Sequence, residues 1–135
     1  MPRLFLDANV LFSAAYGSRG LLRLWESARS GEVTLLTSGY AVEEARRNLR
    51  HPDQWRRLAE LLSDVSVVGE APPDASCPAM LPEKDRPLLL AAIAAGATHF
   101  LTGDLRHFGR YRNQAVAGVR ICTPRDCLGG CLIVK

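Results

Sequence analysis

The stretch Arg3-Leu4-Phe5-Leu6-Asp7-Ala8-Asn9-Val10-Leu11 decides the fold. Arg3 to Leu6 is a short run suited to a buried strand; an acid follows at once, and helical periodicity begins near Val10. The segment Thr98-His99-Phe100-Leu101-Thr102-Gly103-Asp104 repeats the pattern, with an apolar strand ending in an acid. Acids at the carboxyl ends of parallel strands converge on one crevice, because ligands of open α/β sheets bind there. Two more acids belong to the same argument. Asp85 opens the apolar stretch Leu88 to Ala95, and Glu44 lies on a helical segment. Ionised carboxylates crowded together repel one another and need a counter-charge, which a divalent metal supplies.

Working outward, helical periodicity from about Val10 to Ala28 is interrupted at Gly17-Ser18-Arg19-Gly20 and stopped by Gly31. Val33 to Leu36 reads as a second strand. Thr37 or Ser38 can cap the next helix, which runs to about Arg50. His51-Pro52-Asp53 breaks it and starts another, ending near Ser63, and Val65 to Val68 is a third strand. Residues 69 to 82 contain four prolines and form a loop. Residues 85 to 95 make a strongly apolar helix ended by Gly96, and Thr98 to Leu101 is a fourth strand. Residues 104 to 111 are short and irregular or helical; Val119 to Ile121 is a fifth strand. Thr123-Pro124-Arg125-Asp126 is a capped turn, since proline suits the first helical position. Leu132 to Val134 forms a small extra strand or a docked tail. Strands alternating with helices predict a parallel sheet of about five strands flanked by helices on both faces.

The length of 135 residues suits one domain, spanning 1–135, with a real core. The formal net charge is +3, carried almost wholly by arginine, since Lys84 and Lys135 are the only lysines. Arginine prefers bidentate contact with phosphate, so the bias mildly favours a nucleic-acid partner; an arginine-rich proteome explains it equally well. Cys77, Cys122, Cys127 and Cys131 fit no zinc spacing and are expected as free thiols in a reducing cytoplasm. No signal peptide is expected, because Met1-Pro2-Arg3 leads straight into a strand-like run, and no apolar stretch is long enough to cross a membrane.

Each acid also has a plain explanation. Asp7, Asp85 and Asp104 could be helix N-caps, and for Asp85 the following Arg86-Pro87 suits a first turn. Three acids at one edge of one sheet are harder to explain that way. Glu43 lies three and four residues before Arg46 and Arg47, a solvated ion-pair position. Glu44 is about 100° further round the helix, near the face carrying Ala41, Ala45 and Asn48. An acid bordering a packed face is costly without a partner, so Glu44 is the ligand candidate.

Asp7-Ala8-Asn9-Val10-Leu11, Glu44 ahead of Asn48-Leu49, Asp85 ahead of Leu90-Ala91-Ala92-Ile93, and Thr102-Gly103-Asp104 together resemble a PIN domain over nearly the whole chain. The resemblance implies a Rossmann-like three-layer fold and a metal-dependent ribonuclease, specifically a VapC-like toxin of a type II toxin–antitoxin pair. It implies that Asp7, Glu44, Asp85 and Asp104 bind Mg²⁺ or Mn²⁺ and carry catalysis, with Asn9 and Thr102 lining the site. Many members carry a further acid two or three residues after the last motif aspartate, where this chain has Arg106 and His107. It further implies a homodimer and an antitoxin docked near the site, with an arginine able to enter the acidic pocket.

RNA requires cations around the acids. Arg46, Arg47 and Arg50 follow Glu44, and Arg106, His107, Arg110 and Arg112 follow Asp104; both groups flank the expected edge. Tyr16, Trp25 and Trp55 suit a core or an interface better than base stacking. The helical faces with Leu21, Leu22, Leu24, Trp25 and Leu58, Leu61, Leu62 carry more apolar surface than one core needs, which supports a dimer. The alternative is a non-catalytic PIN module that binds RNA or protein. A phosphoaspartyl phosphatase would need an acid where Asn9 stands and a lysine at the pocket. A signalling receiver would need a lysine where Cys122 to Arg125 stand.

Overall fold

The computed structural model describes residues 1–131. Leu132 to Val134, expected as a strand or tail, lie outside the described residues. A six-stranded sheet forms the centre, made of β1 (Arg3–Leu6), β2 (Thr34–Ser38), β3 (Val65–Val68), β4 (His99–Leu101), β5 (Gln114–Val116) and β6 (Val119–Cys122) in the order β3-β2-β1-β4-β6-β5. Every pairing is parallel except β5 with β6. The helices are α1 (Ala8–Tyr16), α2 (Leu22–Arg29), α3 (Gly39–Asn48), α4 (Pro52–Leu62), α5 (Arg86–Ala94), α6 (Leu105–Phe108) and the short α7 (Pro124–Asp126). The fold is the Rossmann-like α/β arrangement anticipated above.

Consecutive residues Leu4, Phe5 and Leu6 are all fully buried. Side chains alternate between the faces of a strand, so both faces of β1 are covered, as in a parallel sheet walled by helices. Phe5 pairs in register with Phe100, and their rings stack at 5.6 Å. Phe108 packs on Phe100 at 5.0 Å between centroids and is itself fully buried, so α6 is anchored to β4. Strand order reverses between β1 and β4, and the crevice at their carboxyl ends is the switch point of the sheet.

The interruption in the first helical segment separates α1 from α2. Gly17 closes α1 at φ 122°, a conformation that suits glycine. Helix α3 begins where expected, with Ser38 Oγ accepting from Ala41 N at 3.3 Å. It ends at Asn48 rather than Arg50, with Leu49 already extended at ψ 142°, and Pro52 further disfavours helical backbone at His51. Gln54 Oε1 then accepts from the N–H groups of Arg50 and His51 at 3.3 Å each and starts α4. Leu49 is buried and Asn48 exposed, so Asn48 is not on the packed face as expected. The capped turn at Thr123 is present, with Thr123 Oγ1 accepting from Asp126 N at 3.0 Å.

Most of the surplus apolar surface is absorbed by the core. Leu24, Trp25, Leu58 and Leu61 are buried, and Trp25 Nε1 donates to Leu61 O at 2.9 Å. Tyr16, Leu22 and Trp55 remain exposed. Cys77 is half-buried, and Cys122 and Cys127 are buried. No described helix is long and apolar enough to cross a membrane.

Strand β5 is the element the sequence pattern does not announce. It joins β6 through a two-residue turn in which Ala117 has φ 51° and Gly118 φ 84°. Two-residue hairpins with positive φ at both central positions favour Asn-Gly, and alanine is strained there. Ala117→Asn is expected to raise stability by about 0.5–1 kcal/mol in thermal denaturation; a lowered midpoint would contradict the turn assignment.

Candidate metal centre

The register of β1 against β4 sets Leu6 opposite Leu101, so the residues that follow both strands meet. Asp7 is the N-cap of α1 and is buried, with Oδ1 accepting from Ala8 N at 2.7 Å. Its Oδ2 accepts from Thr102 Oγ1 at 2.7 Å and from Asn9 Nδ2 at 2.9 Å. Asn9 Oδ1 accepts from Gly103 N at 2.8 Å, and Thr102 Oγ1 accepts from Asp104 N at 3.0 Å. The two residues expected to line the site, Asn9 and Thr102, therefore clamp the ends of β1 and β4 together. A carboxylate oxygen has two acceptor positions, so Oδ2 of Asp7 is saturated and Oδ1 keeps one free.

Asp104 caps α6, its Oδ1 accepting from His107 N at 3.2 Å. That cap folds His107 back, and its Nδ1 stands 2.8 Å from Oδ2 of Asp104 and 2.8 Å from Oδ2 of Asp85. Asp85 ends a short 3₁₀ turn and precedes α5, but its side chain makes no capping bond. It is only 5% exposed. Neither close approach has hydrogen-bond alignment, so Asp85 Oδ2 and His107 Nδ1 are buried without a hydrogen-bond partner. Donor atoms of Asp85, Asp104 and His107 lie within 4.8 Å of one another. A buried, unpartnered carboxylate oxygen beside a second acid is what a cation site requires, so these residues fit a divalent ion.

Burial raises the pKa of Asp7 to about 6, opposed by its Thr102 and Ala8 hydrogen bonds and reinforced by Glu44 and Asp85. Burial also raises Asp85; His107 and Lys84 pull it back and Asp104 pushes it up. Glu44 is half-buried and Glu43 exposed. Glu44 lines a cleft of about 310 Å³ with Ala8, Asn9, Phe12 and Asn48. Among the described residues Glu43 makes no ion pair with Arg46 or Arg47, contrary to expectation.

The cation candidates divide. Arg46, Arg47, Arg50 and Arg106 are exposed and form no ion pair among the described residues. Arg110 lies over the Tyr111 ring at 5.7 Å. Arg112 is taken up by Asp126 through two 2.9 Å contacts, which removes it from the phosphate-binding set. His107, expected beside the site as a phosphate contact, points its Nδ1 at Asp85 and Asp104. Sequence reasoning missed Tyr40, whose hydroxyl donates to Lys84 O at 2.9 Å beside Asp85. Burial, Glu44 and Asp85 raise its pKa. Its position four residues before Glu44, on the same helix face, was the available signal.

An open, mostly parallel sheet that gathers acids at its switch point places the chain in the Rossmann-like class with an acid-lined crevice. The PIN domain family model matches residues 3–106, and the chain belongs to the PIN domain family, a family of nucleases. Among solved structures, the chain is similar to one from VapBC2 of Rickettsia felis bound to a DNA fragment from their promoter. That likeness has a TM-score of 0.64 and 15% identity, and covers 90% of this chain and 98% of that one. At this identity it concerns the fold. No curated protein matches the sequence significantly.

An acid raised by folding binds more protons in the folded than in the unfolded chain between about pH 4 and pH 6, so stability falls as pH rises through that window. For Asp7 the shift corresponds to roughly 3 kcal/mol at neutral pH. Asp7→Asn removes that penalty, but its amide oxygen can serve Thr102 and Asn9 only by turning its NH2 towards the Ala8 N–H, so one hydrogen bond is lost. The expected net gain, in EDTA at pH 8, is about 1–2 kcal/mol, shrinking towards pH 4. Calorimetry across this range checks it; equal destabilisation at both ends would contradict the assignment.

Proposed function

We propose that this chain is a Mg²⁺- or Mn²⁺-dependent endoribonuclease, hydrolysing RNA phosphodiester bonds as the toxin of a toxin–antitoxin pair. The observation that carries the reading is the buried Oδ2 of Asp85, which has no aligned hydrogen bond and is grouped with Asp104 and His107, in a chain of a nuclease family. Hard oxygen donors suit these ions. Asp85 and Asp104 would hold the ion directly. Asp7, with one free acceptor position, and Glu44, at the neighbouring cleft, complete the acidic set directly or through water.

When bound, the ion neutralises charge on the phosphate and acidifies water. The chain does the rest. Carboxylate oxygens of Asp85 or Asp104 orient the attacking water and accept its proton. Asp7, Asn9 and Thr102 fix the spacing of the strand ends. The exposed Arg46, Arg47, Arg50 and Arg106, with Arg110, hold RNA phosphates on either side of the acids. The similar VapBC2 structure supports an antitoxin partner, and the exposed Tyr16, Leu22 and Trp55 offer apolar surface for it or for the second copy of a homodimer; the proposed place of action is the cytoplasm. An antitoxin arginine entering the acidic pocket would replace the ion's charge.

The test is cleavage of a mixed RNA panel with Mg²⁺ or Mn²⁺ against EDTA. Asp104→Asn is expected to lower the rate at least about 100-fold, and Glu44→Gln far more than Glu43→Gln. Equal effects of the two glutamate changes would refute the helix-face assignment. A chain inactive on every RNA with Mn²⁺ present, and harmless when expressed alone, would be a non-catalytic binding module.

A further inference from the structure

We propose that His107 is a direct nitrogen ligand of the divalent ion and biases the site towards Mn²⁺ and related transition metals over Mg²⁺. The inference rests on the reading of Asp85 and Asp104 as a cation site and assigns that site's selectivity. Three observations carry it. The imidazole is aimed inward, with its side chain 25% exposed and Nδ1 buried without a hydrogen-bond partner. The two 2.8 Å separations from Nδ1 to the carboxylate oxygens are close to the spacing of adjacent donors on an octahedral ion with ~2.1 Å bonds, about 3.0 Å. The ring is also held in place from behind. Asp104 caps the turn that carries it, and Phe108, the next residue, is packed in the core against Phe100.

The donor type decides the preference. Mg²⁺ favours an all-oxygen shell and gives up water reluctantly, so a nitrogen within its shell is a poor exchange. Imidazole suits first-row transition ions such as Fe²⁺, Ni²⁺ and Zn²⁺. Mn²⁺ is the hardest of that series and shares carboxylate sites with Mg²⁺, but it holds its waters less tightly and so takes a nitrogen donor more readily than Mg²⁺ does. The competing role for His107 is a counter-ion that occupies the pocket and must be displaced by metal. The two roles predict opposite effects of removing the ring.

The experiment uses the full chain and reads binding rather than cleavage. Mn²⁺ affinity is measured by loss of the free-ion electron paramagnetic resonance signal, Mg²⁺ affinity by competition, and nitrogen ligation by ¹⁴N modulation of bound Mn²⁺. Wild type is expected to show ¹⁴N modulation. His107→Asn should abolish it and reduce the preference for Mn²⁺ over Mg²⁺ by at least about tenfold. His107→Asp should recover affinity for both ions without the modulation. Tighter binding of both ions by His107→Asn, or no ¹⁴N modulation in wild type, would overturn the proposal and leave the oxygen site standing. Mn²⁺ binding unaffected by Asp85→Asn would instead refute the underlying cation site, and circular dichroism of each variant separates lost binding from lost folding.

Discussion

The hydroxyl of Thr102 joins the ends of two neighbouring parallel strands. It donates to Asp7 Oδ2 at 2.7 Å and accepts from the Asp104 amide at 3.0 Å. Asn9 spans the same gap, donating to Asp7 and accepting from Gly103. This clamp depends on the register of β1 against β4, and that register is fixed by the stacked Phe5–Phe100 pair in the core. A shift by one residue would turn those rings to the opposite faces and carry the acids out of the crevice. Core packing and site geometry are therefore one constraint.

The acids are costly where they stand. Burial raises both Asp7 and Asp85; the charges of Glu44 and Asp85 add to the rise at Asp7, whereas His107 and Lys84 oppose it at Asp85. A core built for stability alone would not bury two acids beside the seam of its sheet, one with an oxygen that has no aligned hydrogen bond and only the His107 ring at ion-pair distance. The two acids differ in role. Asp7 spends most of its acceptor capacity on the protein and organises the edge, whereas Asp85 leaves Oδ2 open towards Asp104 and His107. A divalent cation bound at these acids, as proposed, would offset the cost and couple folding stability to metal occupancy.

The central strands and the ends that carry Asp7 and Asp104 were legible because apolar runs stopped abruptly at an acid. Helix starts at Ser38 and Pro52 were legible from capping chemistry. Strand β5 was not, since Gln114 and Ala115 are exposed on a sheet edge and the Ala117-Gly118 turn lacks the usual Asn-Gly signal. The fate of single side chains also escaped the pattern. Arg112 meets Asp126 across fourteen residues, and His107 turns inward because Asp104 caps its turn, a tertiary outcome that a surface arginine–histidine run does not display. The face of α3 was placed nearly correctly: Glu44 is half-buried as expected, while Leu49, not Asn48, continues the packed stripe.

Anomalous diffraction from a crystal of the full chain soaked with Mn²⁺ tests the central claim most directly. The account predicts one strong peak within coordination distance, roughly 2.0–2.3 Å, of carboxylate oxygens from both Asp85 and Asp104, on the side of the sheet where Asp7 caps α1. A peak elsewhere, or none at saturating Mn²⁺, would contradict it.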